Sequence, residues 1–531
     1  MATYYNETTS IRPVKSWLPS HRQYDYFFED WLTMFDTLMG EREVKEQGVR
    51  YLPKTQGMLM NPEGNNHYEA YKERAVFPEF TSETALGMYG LFWQKLPQVK
   101  INALGDKWMK NATIDGKSFI QAYRDMVYKQ ITKGRYGMLI DIPEDAEAKD
   151  DLPQIVPYVA ESIVNWGKKI YKGKNILSFV LLDESSYDLD NTTLQYNYVQ
   201  RWRYCGLYTH DEKGNELKTP IYFTISGLGS SSEVNTNLEL DFNFKYGTDN
   251  YNGNKLIYPN YKGKELNYIP FIFVNVTNLD SDIEIPPLKK LANTCIASYR
   301  LDADLKQGLF FTSEPTLFGS GIDSSTNIAV GAQAAILIPD KDAKLDYVEI
   351  SGAGLEIMKK TEDDLKNNAK EMGIQLVQKS SGDETGASVE KHITVQTSTL
   401  KSISTTASQA MINVLKIVND WIGNKFGEPN IVPSQEFSTV NENPDSMYKI
   451  WLMFKEGGMS KRDYYESQKQ NDVTSFETFE EWEINFDKRI KEIELKEKQN
   501  KDINNKLNNS NEVINKENID KNLENNNITN K

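Results

Sequence analysis

The sequence predicts an α+β fold with a mixed first half and a mainly helical second half. Three observations carry this. Helix-period and strand-like stretches alternate over the first 280 residues. The helical period takes over after Pro286-Pro287. A stretch from Ala387 to Ile422 then runs for 36 residues without Pro or Gly.

The elements follow in order. Residues 24–39 place Phe27, Trp31, Met34, Phe35 and Leu38 at helical spacing. Residues 82–96 carry Leu86, Leu91, Phe92 and Leu96, with Thr81 as the expected cap and Pro97 as the stop. Residues 118–132 repeat the pattern with Phe119, Tyr123, Val127 and Ile131 up to Gly134, and Tyr136–Ile142 follows at once as a strand. Ile176–Leu182, Gln195–Tyr208, Pro220–Ser226 and Ile269–Thr277 are rich in Val, Ile, Phe and Tyr, with Gly/Ser/Asn-rich turns between them. The first half is therefore expected to hold a largely antiparallel sheet.

Beyond Pro287, Leu288, Leu291, Cys295, Tyr299, Ala303 and Leu309 predict a helix of about six turns. Pro315–Phe318 and Ala334–Pro339 read as a small β patch. A second helix opens at Ser351-Gly-Ala-Gly, with Leu355, Met358, Leu365, Ala369 and Met372 on one face. Glu356, Lys359, Lys360, Glu362, Asp363 and Asp364 are expected on its outer face. A polar loop, 378–386, leads into the long stretch, which would span about 54 Å as a helix. That stretch is rich in Ser and Thr, mediocre helix formers, so packing must hold it. Residues 447–495 read as two more helices, and the Asn/Lys/Glu-rich segment 500–531 as disordered.

Composition narrows the function. With 61 Lys+Arg against 76 Asp+Glu, the net charge of −15 argues against a protein that grips nucleic acid with positive charge. Two distant cysteines, Cys205 and Cys295, make no disulfide framework and point to a reducing compartment. The polar start MATYYNETTS is not a secretory signal, and no apolar run approaches 18 residues. Gly116-Lys117-Ser118 lacks the earlier glycine of a phosphate loop, since Asn111 stands there, and reads as a turn and helix start. Gly352-Ala-Gly354 fails as a dinucleotide fingerprint at Ile357. The histidines His21, His67, His210 and His392 form no metal-binding pair, there is no CxxC, and no cofactor is expected.

Tyr51-Leu-Pro, Tyr71-Lys-Glu-Arg-Ala75, Gly134-Arg-Tyr-Gly-Met-Leu-Ile-Asp141 and Ala160-Glu-Ser-Ile-Val-Asn-Trp166 open a further pattern. Ile269-Pro-Phe-Ile-Phe273, Pro287-Leu-Lys-Lys-Leu-Ala292 and Tyr299-Arg-Leu-Asp-Ala-Asp304 continue it. In this order, and with the helix–patch–helix–loop–long-helix succession, the chain resembles the portal proteins of tailed bacteriophages. It is similar to the branch known as a phage domain of unknown function.

The resemblance implies a portal-like fold: an α/β wing (1–283), stem helix 1 (284–312), a small β-containing clip (313–352) and stem helix 2 (353–376). A tunnel loop (377–386), a long wing helix (387–424), a helical crown-like region (425–499) and the disordered tail (500–531) complete it. It implies a non-enzymatic ring, usually of twelve copies, at one capsid vertex of the virion, made in the host bacterial cytoplasm. Double-stranded DNA is packaged and ejected through the ring. Its partners are the terminase large subunit, the major capsid protein and scaffold, and a head–tail adaptor, with no membrane. The implied channel-loop residues are Lys379, Ser380, Ser381, Asp383, Glu384 and Thr385. The implied motor and adaptor contacts are Asp340, Lys341, Asp342 and Lys344. A mostly acidic channel wall is expected to let the duplex slide. Two other readings are a polysaccharide-acting enzyme using paired carboxylates and another ring-forming head–tail connector component.

Overall fold

A computed structural model describes residues 12–94, 97–101, 103–141, 152–229, 242, 244–246, 250–251, 254–261, 264–313, 316–321, 342, 344–348, 352–377, 386–423, 426–433, 444–470, and 474–498 except 475, 477, 493–494 and 497. The chain divides into a unit spanning Met1–Phe437 and a second spanning Ser438–Lys531.

The first unit is mixed helix and sheet. Its opening helices are α1 (Arg22–Met39), α2 (Gly64–Arg74), α3 (Phe80–Phe92) and α4 (Phe119–Lys133). Ser118 closes a capping box with Gln121 at the start of α4, so Gly116-Lys117-Ser118 is a turn and helix start. Lys117 is bound there to Asp115 and Asp125. α4 ends at Gly134, whose φ of 70° is left-handed. Pro286 Cα would lie 3.1 Å from a Cβ added at Gly134. Gly134→Ala is therefore expected to cost about 1–2 kcal/mol from the backbone alone, read by denaturant unfolding.

Strands β1 (Arg135–Asp141) and β2 (Gln154–Val159) pair antiparallel. β3 (Ile163–Tyr171) and β4 (Lys174–Asp183) follow, then the hairpin of β5 (Ser186–Leu189) and β6 (Tyr196–Val199). β7 (Arg201–His210), β8 (Glu216–Leu228), β9 (Asn254–Ile257) and β10 (Phe271–Asn275) complete the first half. A six-stranded sheet runs Asn250–Tyr251, β9, β8, β7, β4, β3, and a three-stranded one runs β10, β1, β2. All their ladders are antiparallel, as the sequence predicts. The expected single strand Gln195–Tyr208 breaks at Gln200, because β6 pairs with β5 and β7 joins the large sheet.

The three-stranded sheet is buried on both faces, and its side-chain alternation divides two cores. Tyr136, Met138, Ile140, Ile272 and Val274 join the core shared with α4. Leu139, Val156, Phe271 and Phe273 join the core shared with α1 and the six-stranded sheet. Between them sits a buried ion pair: Lys133 Nζ lies 2.6 Å from Glu161 and donates to Trp31 O at 2.8 Å. Next to it, Arg135 lies between the rings of Trp166 (4.5 Å) and Phe273 (5.0 Å) and donates to Ser281 O.

α3 corrects the predicted helix 82–96. It starts two residues earlier and ends at Phe92, and Glu79, not Thr81, holds the cap position. Thr81 is buried within the helix and Leu86 is exposed, because the stripe facing the core is Thr81, Thr84, Ala85, Met88 and Leu91.

In the second unit, α8 (Pro444–Lys455), α9 (Lys461–Gln470) and a helix over 479–492 pack around an aromatic cluster of Trp451, Phe454, Tyr464, Tyr465, Trp482 and Phe486. Among the described residues there are three helices where the sequence predicts two. The overlooked one, KRDYYESQKQ, is too polar to show an apolar stripe. Its signal was the cap, since Asp463 N–H donates to Ser460 Oγ at 3.1 Å. Residues 500–531 lie outside the described residues.

Candidate functional site

Residues 286–421 bring together the features that stand apart from an ordinary domain. α5 (Lys289–Ser313) has 25 residues, about 37 Å of helix. Its first four turns are rooted in the protein by Leu291, Ala292, Cys295, Ile296, Tyr299 and Ala303. Its last turns carry the half-exposed Leu309, Phe310 and Phe311. β11 (Thr316–Ser320) and β12 (Lys344–Val348) then form a two-stranded ladder, Thr316 opposite Val348 and Ser320 opposite Lys344. α6 (Gly352–Val377) returns along α5. The contacts run in opposite directions along the two helices: a Cβ at Gly308 would meet Leu355, while Lys366 reaches back to Asp302. The helices are therefore an antiparallel pair with a β tip.

The α5–α6 contact is polar as well as apolar. Asp302 accepts from Val76 N–H at 2.7 Å and pairs with Lys306 at 2.9 Å. Glu362 pairs with Lys359 at 3.2 Å and with Lys366. It is thus buried, which corrects its expected place on the outer charged face. Burial pushes the Glu362 carboxyl up, and the hydrogen bonds from Lys366 and Lys359 outweigh that and hold it below its ordinary value. Tyr71 and Arg74 of α2 bind Asp304 and Gln307, so α2 braces α5.

α7 (Gly386–Trp421) has 36 residues and matches the predicted stretch nearly to the residue. Its C-terminal half packs into the core by Leu400, Ile403, Ala407, Ala410, Met411, Val414 and Val418. Packing holds this helix, as its Ser- and Thr-rich sequence requires, and small hydroxyls take part in it. Ser404 and Ser408 are buried, and Ser408 Oγ shares a hydrogen bond of 2.8 Å with Tyr123 of α4.

The predicted channel-loop residues Lys379, Ser380, Ser381, Asp383, Glu384 and Thr385 lie outside the described residues, as do Asp340, Lys341 and the expected strand Ala334–Pro339. Asp342 is an exposed turn residue, and Lys344 opens β12, exposed. The two helices are close to neutral. α5 carries four basic and two acidic residues, and α6 four basic and five acidic. The excess negative charge lies elsewhere in the chain.

Away from this region, a cavity of about 660 Å³ opens on the six-stranded sheet, lined by Tyr204, Tyr208, Phe223, Phe244, Lys169 and His210 among others. Of its two carboxylates, Asp211 is engaged by its own turn, accepting from Lys213 N–H and Asn215 N–H. Among the described residues, no group of three or more His, Cys, Asp or Glu is placed to hold a metal, and no helix is long and apolar enough to cross a membrane. Cys205 and Cys295 are both free and buried. Burial pushes the Cys205 thiol up to about 11.

Residues 287–422 match a family model described as a domain of unknown function (DUF4055). The match spans α5, the β tip, α6 and α7. No curated protein matches the chain. Among solved structures, the chain is similar to one from the neck of an empty gene transfer agent particle computed with C6 symmetry, at 8% identity and a TM-score of 0.35, covering 72% of this chain and 87% of that one. It is also similar to one from the neck of the native particle computed with C12 symmetry, at 10% identity and a TM-score of 0.33, covering 72% and 88%. A third is from the virion of that native particle, at 9% identity and a TM-score of 0.33, covering 78% and 90%.

Proposed function

We propose that the chain is the portal protein of a tailed-phage-like particle. Copies form a ring at one capsid vertex through which double-stranded DNA is packaged and ejected. The observation that carries this is the antiparallel pair α5–α6 with its β tip, followed by a 36-residue helix anchored in the core. A helix pair rooted at one end, with half-exposed phenylalanines near the other, has unused apolar surface that side-by-side copies would cover. In this reading α5 and α6 are the stem and β11–β12 belongs to the clip. Residues 377–386 are the tunnel loop, and residues 425–499 are the crown-like region.

The near balance of charge on α5 and α6 suits such a channel. Phosphates are neither gripped by a basic stripe nor held off by a strongly acidic one, and DNA passes with little counterion release. The loop's single lysine, two acids and hydroxyls allow brief phosphate contacts without base readout. The chain itself performs no chemistry. A terminase motor at the clip supplies the energy, an adaptor docks there later, and capsid protein and scaffold surround the wing.

Purified protein is expected to show closed rings end-on in negative stain and a solution mass that is a whole multiple of the chain's. A species that stays monomeric across salt and concentration would overturn the ring. The loop is tested separately. Asp383→Lys with Glu384→Lys is expected to leave rings intact and to cut the yield of DNA-filled particles at least about tenfold. Normal yield would remove residues 377–386 from the channel.

A further inference from the structure

The hairpin β5–β6 is amphipathic and mounted the wrong way round for an isolated domain. Its register sets Tyr187 opposite Tyr198 and Leu189 opposite Tyr196. Residues two apart on a strand share a face, so these four side chains form one face and Ser186, Asp188, Asn197 and Val199 the other. The apolar face is the one turned to solvent: Tyr187 and Leu189 are each 43% exposed, Tyr196 67% and Tyr198 46%.

The polar face is the anchored one. Arg201 Nη1 donates to Ser186 Oγ at 2.6 Å and to Asp188 Oδ1 at 3.0 Å, and Nη2 also binds Asp188. A two-stranded hairpin is marginal alone. This one gives up the burial of its own rings to keep that bidentate grip. At the turn, Leu194 is 72% exposed with a φ of 56°, a left-handed conformation that costs a leucine strain.

We propose that this face is an interface with a second copy of the chain, the neighbour in the assembly. The inference rests on the ring reading above and adds the surface that serves it. Two observations choose the occupant. The face of Tyr187, Leu189, Tyr196 and Tyr198 carries no charge, in a chain whose net charge is −15. Like-charged copies approach at least cost where neither presents charge, whereas an unlike partner would be selected by complementary charge that this face lacks. The second observation is size. At 150–250 Å² for a fully buried aromatic side chain, the exposed fractions of the three tyrosines amount to about 230–390 Å². That is half or less of the ~800 Å² per partner that a stand-alone interface needs. The hairpin is thus sized as one contact of a larger copy-to-copy interface and not as an independent dimer.

The test uses the full chain. Tyr196→Asp with Tyr198→Asp is expected to raise the concentration at half-assembly at least about tenfold in sedimentation, with unchanged circular dichroism and melting as the control that both exposed sites tolerate the change. In parallel, p-benzoylphenylalanine at position 196 is expected to give covalent multimers of the chain on irradiation. If the wild type assembles, and the double variant assembles equally with no crosslink between copies, the hairpin interface is overturned and the ring stands. A wild type that neither assembles nor crosslinks overturns both. A crosslink solely to a co-purified protein overturns the second-copy assignment.

Discussion

Lys133→Met is expected to destabilise the first unit by about 3–5 kcal/mol at neutral pH, because it strands a carboxylate in the core. Lys133 is the last residue of α4, and its ammonium satisfies both Glu161 and the Trp31 carbonyl. Burial pushes the Glu161 carboxyl up, and the charge and hydrogen bond of Lys133 outweigh burial and hold it below its ordinary 4.5. The pH dependence therefore has a defined sign. A carboxyl depressed on folding lends stability that is fully present above about 4.5 and disappears as the pH falls through the lower folded value. In Lys133→Met the main counterweight to burial is gone, and only the smaller pulls of Lys129 and a backbone hydrogen bond remain, so the carboxyl is expected to rise on folding and the sign to invert: the variant recovers stability as the pH falls from 7 towards 5. Glu161→Leu added to Lys133→Met should lose less than the two single changes summed, since an apolar pair leaves no stranded charge. Urea unfolding at pH 7 and pH 5 measures all of this. A single variant within about 0.5 kcal/mol of wild type would mean that water reaches Glu161.

Met411→Ala is expected to cost about 2–5 kcal/mol, the range for truncating a fully buried methionine. Met411 sits in the core with Val414 and Val418 of α7, in a helix whose Ser- and Thr-rich sequence contributes little propensity of its own. The same substitution at Gln409, exposed on the opposite side of α7, should stay within about 0.5 kcal/mol. Chemical denaturation of both variants checks the contrast. Equal losses would mean that α7 holds itself as an isolated helix and is not held by the core.

Legibility followed the strength of the local signal. α1, α4, α5, α6 and α7 were visible because long apolar periodicity and sharp punctuation coincide there. Gly134 ends α4 in a left-handed turn, Pro286-Pro287 precedes α5, and Gly386 begins α7. α9 was missed because its stripe is polar apart from Tyr464 and Tyr465, which find their partners in a helix beginning at residue 479. The limits of α3 were misplaced because Thr81 and Thr84 look like cap and surface residues. They are buried because α6 passes close enough for a Cβ at Gly373 to touch Thr84. The site residues proposed for the channel loop came from resemblance and from the order of elements, not from local chemistry.

By itself the sequence determined the succession of elements: a mixed half with antiparallel strands, then helix, β patch, helix, polar loop and a 36-residue helix. Periodicity and turn residues are local properties, so one chain suffices to read them. The tertiary structure decided what each face meets. It buried Glu362, whose lysine partners are its own helix neighbours, set Lys133 against Glu161, and turned the tyrosines of β5–β6 outward by clamping Asp188 to Arg201. The last two depend on residues 13 and 28 positions apart, and the hydrogen bond from Val76 to Asp302 joins residues 226 apart. A charge or a ring in sequence carries no mark of which distant partner will desolvate or pair it, and that choice is made only when the chain closes on itself.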